Sequence, residues 1–178
     1  MTKTPPRIYW DAAAWIAYIR REMPAHDNSI KEPRFEMCRD VLRRAEKGDI
    51  EIATSAFTLA EVCKRRAEAY DPTINLPAFF DQRYIVLVPV DKQVGLFAQN
   101  LQLTGVGGLK PADATHLASA LVWDVPVFHT FDEPLLDLDK VLQSKNGSQL
   151  RIIMPGQEVP VPGLLKAMQN DGTTEAAE

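Results

Sequence analysis

The sequence predicts an α/β fold: a three-layer α/β/α sandwich around a mostly parallel central sheet. Short β-prone runs alternate along the chain with segments whose apolar residues recur at helical spacing. The inner strand candidates are near-continuous apolar runs, as strands covered on both faces are. With 178 residues, 46% of them hydrophobic, the chain fits one layered domain of ordinary size.

The elements follow in order. RIYW is a first strand, ended by Asp11. AAAWIAYIRRE continues as a helix, and MPAHDNSIKEP is a polar loop flanked by prolines. RFEMCRDVLRRAEKG predicts a helix with Phe35, Cys38, Val41, Leu42 and Ala45 on one face and Gly48 as its stop. DIEIATS is a second strand, and Ser55 is placed to cap a helix through AFTLAEVCKRRAEAY. DPTINLP breaks that helix, AFFDQ is a short helical turn, and YIVLVPV is a buried strand. Asp91 caps KQVGLFAQNLQL, whose stripe is Val94, Phe97, Ala98 and Leu101. The loop TGVGG leads to a helix from Pro111 to about Trp123. VPVFHT is the next buried strand, DEPLLDL a short helix and LRIIM the last strand. Residues 1–154 make the folded domain. Residues 155–178 are an expected extension, disordered in part, with NDGTTEAAE as its tail.

A net charge of -4 removes bulk electrostatic attraction to nucleic acid and argues against a basic coat protein. It leaves room for an enzyme with an acidic, metal-filled centre. Cys38 and Cys63 lie in helix-like stretches without metal-ligand spacing, so reduced thiols in a cytoplasmic protein are expected. The start, MTKTPPRIYWD, lacks the apolar core of a secretory signal, and no apolar run approaches membrane-spanning length.

Four carboxylates draw attention. Asp11 and Asp132 each follow a strand, and each is equally well read as a helix cap. Together they occupy the sheet edge where open α/β folds bind ligands. Asp113 sits in the first turn behind Pro111, where the helix dipole favours an anion by a few tenths to about 1 kcal/mol. It also borders the stripe of Ala114, Leu117, Ala118 and Leu121, a position that can face a cleft. Glu61 is the least favoured. Leu59, Val62, Cys63 and Tyr70 cluster nearly opposite it and Arg65 stands four residues on, a pattern that predicts a solvated glutamate. Converging carboxylates would suit a hard cation such as Mg²⁺ or Mn²⁺.

Read together, YWDAAAWIAYI, IATSAFTLAEVCKR and LKPADATHLASALVWDVPVFHTFD resemble a PIN domain, most closely the VapC-like toxins of prokaryotic toxin–antitoxin pairs. The resemblance covers residues 7–154. Its most specific part is the Asp that opens an Ala-rich helix, then a short strand and Thr-x-Asp. It implies a Mg²⁺- or Mn²⁺-dependent endoribonuclease with Asp11, Glu61, Asp113 and Asp132 as the metal-binding acids. Thr130 would orient ligands or a water by hydrogen bonding. It also implies an RNA substrate, a cognate antitoxin and a homodimer. Ala12 is a departure: the family often has Ser or Thr after the first Asp.

Lys64, in KRR, and Lys110 are candidates for holding RNA phosphates, though charged runs on helices are more often solvated faces. His116 reads as a surface or half-buried histidine near the site, and His129 as packing on the sheet face opposite Thr130. Trp10, Trp15 and Trp123 are expected to be packed. An apolar groove around Trp15–Ile19 and Phe35–Leu42 is the expected antitoxin surface. The competing function is a catalytically weak or inactive PIN-like module that binds RNA or protein. An aspartyl phosphotransferase ranks low because Ala13 stands where its second Asp belongs.

Overall fold

The computed structural model describes residues 4–25, 31–62, 75–104, 106 and 108–157. Among these, five strands form one sheet: β1 (Arg7–Trp10), β2 (Glu51–Ser55), β3 (Ile85–Val88), β4 (Val127–His129) and β5 (Arg151–Ile153). Their order is β3-β2-β1-β4-β5, and every neighbouring pair is parallel. The helices are α1 (Ala12–Ile19), α2 (Arg34–Glu46), α3 (Thr58–Glu61), α4 (Leu76–Phe80), α5 (Lys92–Leu103), α6 (Pro111–Val122) and α7 (Glu133–Leu136).

Alternation along β1 divides the core. Ile8 and Trp10 face one side and pack with Trp15, Cys38, Val41 and Leu42 of α1 and α2. Tyr9 faces the other side, stacks on Phe128 at 5.1 Å between ring centroids, and packs beneath α5 and α6. The sheet is therefore covered on both faces, which is why its strands read as apolar runs.

Local chemistry starts and stops the helices. Asp11 caps α1 and Asp91 caps α5, each through a hydrogen bond from the backbone N–H three residues on. Helix α2 ends where Gly48 adopts φ +84°. The Gly48 and Asp49 N–H groups donate to the Ala45 and Arg44 carbonyls, which closes the last turn. Helix α6 buries Ala114, His116, Leu117, Ala118, Ser119, Ala120 and Leu121. This is wider than the four-residue stripe expected, because α5 covers one side of α6 while the sheet covers another.

Within the stretch expected to form an antitoxin groove, Ile16, Tyr18, Phe35 and Met37 stay partly exposed, and the other apolar side chains are core. Trp15, Ala17, Ile19, Cys38, Val41 and Leu42 are buried, and they form the core between α1, α2 and the sheet. Trp10 and Trp15 are packed as expected, whereas Trp123, at the end of α6, is 41% exposed. The helix expected to follow a Ser55 cap starts two residues later, at Thr58. Ser55 closes β2, and its Oγ accepts from the Phe57 N–H in a local turn instead of capping. The remainder of that expected helix, with Cys63, Lys64 and the KRR run, lies outside the described residues, as does the extension from residue 158.

Candidate active site

Strand order reverses at β1. The chain lays β2 and β3 on one side of it and β4 and β5 on the other. The crevice beyond the C-terminal ends of β1 and β4 is thus the topological switch point, the usual ligand position in open parallel sheets. Asp11 directly follows β1, and Thr130 and Asp132 follow β4.

Asp11 is only 4% exposed. Its Oδ1 accepts from the Ala14 N–H at 2.9 Å, and the nearby Thr130 hydroxyl favours its ionised form. Burial pushes its pKa up to about 6; nearby His116 and these two groups pull against the rise, and the charge of Asp132 adds to it. Thr130 is buried, and its Oγ1 accepts from the Asp132 N–H at 3.0 Å. One hydroxyl therefore acts at both strand-end acids, holding the Asp132 backbone and lowering the Asp11 pKa.

Asp132 occupies the N-cap position of α7, yet its carboxylate makes no capping hydrogen bond. The helix does not use it, so the cap reading does not explain this side chain. Asp113, in the first turn of α6, is half-buried. Its pKa is raised by burial and then by Asp132, against the lowering influence of Lys110, His116 and a hydrogen bond from the Lys110 backbone N–H. Asp132 thus acts on both Asp11 and Asp113. Lys110 is exposed, and its charge acts on Asp113.

Glu61 does not follow its helical pattern. Thr54 donates its hydroxyl proton to the Trp10 carbonyl at 2.8 Å, so in the 2.7 Å contact between Thr54 and Thr58 the donor is Thr58. This chain of hydroxyls turns Thr58 inward at the start of α3. Glu61, three residues on, shares that face, while Leu59 is 38% exposed. The Glu61 side chain is 13% exposed, and its Oε2 lies 2.6 Å from His116 Nε2. The pattern misled because it placed Leu59 on the buried side.

His116 and Tyr9 are the residues that sequence reasoning undervalued. His116 is buried, and its Nδ1 lies 2.9 Å from the Tyr9 hydroxyl. That hydroxyl also accepts from the Ser55 N–H at 3.1 Å. Burial holds the Tyr9 phenol above its ordinary pKa. The available signals were the spacing of His116 three residues after Asp113 and a polar-tipped Tyr9 inside a buried strand. His129 packs as expected. Its Nδ1 accepts from the Trp10 indole at 3.1 Å, and burial pushes its pKa down to about 3, so it is neutral near pH 7.

The donor set suits a hard divalent cation. Its groups are carboxylates, and Asp132 raises the pKa of two others, so a positive ion between them would relieve their repulsion. Among the described residues, however, no three His, Cys, Asp or Glu side chains surround one point closely enough to hold a metal. Among the described residues, no helix is long and apolar enough to cross a membrane. A family model described as PIN domain matches residues 8–141. No curated protein matches the chain.

Proposed function

The chain belongs to the PIN domain family, and from that premise we propose that it is a Mg²⁺- or Mn²⁺-dependent endoribonuclease, the toxin of a toxin–antitoxin pair. PIN domains are in general metal-dependent nucleases that bind RNA. The observation that supports the reading is the gathering of acids at the β1/β4 edge, where Asp132 raises the carboxyls of both Asp11 and Asp113. Carboxylates that repel one another in a partly dry cleft destabilise the fold unless a cation offsets them.

In this reading Asp11, Asp113, Asp132 and Glu61 hold the metal, directly or through water. A bound Mg²⁺ or Mn²⁺ neutralises charge at the scissile phosphate and lowers the pKa of a water. Asp11 is a fixed donor because the Ala14 N–H tethers it. Lys110 beside Asp113, and Lys64, hold RNA phosphates. Hydrolysis leaves a 5′-phosphate and a 3′-hydroxyl.

The test is cleavage of several RNAs in Mg²⁺ or Mn²⁺ by the wild type, Asp11→Asn and Asp113→Asn. The wild type is expected to cut and to stop when the metal is chelated. Each variant is expected to lose about a hundredfold or more, the scale on which removal of one charge-stabilising group acts. A wild type that cuts no RNA, or variants that cut equally well, would overturn the reading.

The second reading, a PIN-like module that binds RNA or protein without cutting, is favoured by the lack of a three-ligand cluster among the described residues and by Ala12 after Asp11. It predicts RNA binding without products. The toxin role, the antitoxin and a homodimer rest on the likeness to VapC-like toxins. Growth arrest on expression, relieved by a protein encoded beside the gene and absent in Asp11→Asn, is the expected result.

A further inference from the structure

A buried histidine stands between a buried tyrosine and the Glu61 carboxylate. We propose that His116 is the positioning residue of the acidic site: Tyr9 fixes its ring, and its Nε2 clamps the Glu61 carboxylate in place beside the other acids. The proposal rests on the nuclease reading in one respect, that Glu61 serves the metal.

The geometry gives the direction of each bond. Nε2 lies 2.6 Å from a carboxylate oxygen, so it carries a proton and donates. In the neutral ring Nδ1 is then the acceptor, and the Tyr9 hydroxyl at 2.9 Å is its donor. Tyr9 is held in turn by the Ser55 N–H and by its stack on Phe128. The path Ser55–Tyr9–His116–Glu61 joins β2, β1, α6 and α3, and both rings in it are buried.

The clamp solves a problem set by α3, which has only four residues. So short a helix has little stiffness of its own. The bond from His116 fixes one oxygen of Glu61. Outer-shell partners of this kind orient the groups that hold a metal.

Calorimetric titration of Mn²⁺ into the full chain tests the clamp without any turnover. The variants are His116→Ala, His116→Gln, His116→Asn, Glu61→Gln and the double variant H116A/E61Q. A Gln amide reaches where Nε2 stood and still donates to Glu61, whereas an Asn amide reaches only the position of Nδ1. We expect H116A and H116N to bind Mn²⁺ about 10–100-fold more weakly, H116Q to stay within about threefold of wild type, and the double variant to be no weaker than E61Q. A wild-type affinity in H116A, an equal loss in H116Q and H116N, or a full additional loss in the double variant would each overturn the clamp. If the wild type itself binds no Mn²⁺, the metal reading falls. The clamp is then decided by a crystal structure of H116N: Glu61 rotated toward solvent upholds it, and Glu61 unmoved overturns it.

Discussion

Replacing Asp11 with Asn removes a buried negative charge but keeps the helix cap, because Asn Oδ1 can still accept from the Ala14 N–H. Burial raises the Asp11 pKa from an ordinary 3.8 to about 6. The folded state therefore binds the proton more tightly than the unfolded chain does. The resulting stabilisation is fully present below pH 4 and is lost as pH rises through 6. A rise of about 2 units at about 1.4 kcal/mol each makes the ionised Asp11 a burden of about 3 kcal/mol above pH 7. Asp11→Asn does not carry it. Thermal unfolding of both proteins from pH 4 to pH 8 should show nearly equal Tm values at pH 4. The variant should be higher by several degrees at pH 7.5, since about 1 kcal/mol moves Tm by roughly 2–4 °C in a chain of this size. Mn²⁺ should raise the Tm of the wild type at pH 7.5 and leave the variant nearly unchanged. A Tm difference independent of pH, or a variant less stable at pH 7.5, would refute the assignment of the buried charge to Asp11.

Three other outcomes follow from the same contacts. Thr130→Val removes the hydroxyl that accepts from the Asp132 N–H and lowers the Asp11 pKa; a loss of about 1–3 kcal/mol in denaturant unfolding is expected, with Asp11 titrating higher than in the wild type. Asp132→Asn removes a charge that raises Asp113, so the Asp113 carboxyl resonance in carbon NMR should titrate at lower pH than in the wild type. Gly48→Ala places a side chain at φ +84° in the turn that closes α2; it should cost about 1–2 kcal/mol, read as a drop in Tm without loss of metal binding.

Much of this architecture is legible in the sequence because it is local. The Gly48 stop, the Asp11 and Asp91 caps and the apolar strands each depend on residues within a turn or a strand. The placement of Asp11 and Asp132 at one sheet edge follows from their positions after strands. What the sequence does not show is set by distant partners. Nothing in β1 or β4 alone states that they are neighbours, so the switch point between them is invisible until the sheet forms. Glu61 turns inward because Thr58 reaches Thr54, which reaches the Trp10 carbonyl on another strand. His116 is read as half-buried because its own helix cannot reveal Tyr9 beneath it. The apolar residues of α1 and α2 read as one stripe when taken one helix at a time, and packing divides them into core residues such as Trp15 and Leu42 and partly exposed ones such as Tyr18 and Phe35.

The pairing of β1 with β4 has a kinetic consequence. Ile8 aligns with Val127 and Trp10 with His129, so the central strand waits for a neighbour from the far end of the domain. Contacts of such high sequence separation close late, after the loop between them has been ordered. A chain emerging from the ribosome can dock β2 against β1 early but cannot bring Asp132 to Asp11 until β4 is made. A prematurely terminated chain, ending before β4, lacks half of the acidic edge. The acidic edge is thereby completed only when synthesis of the domain is nearly finished.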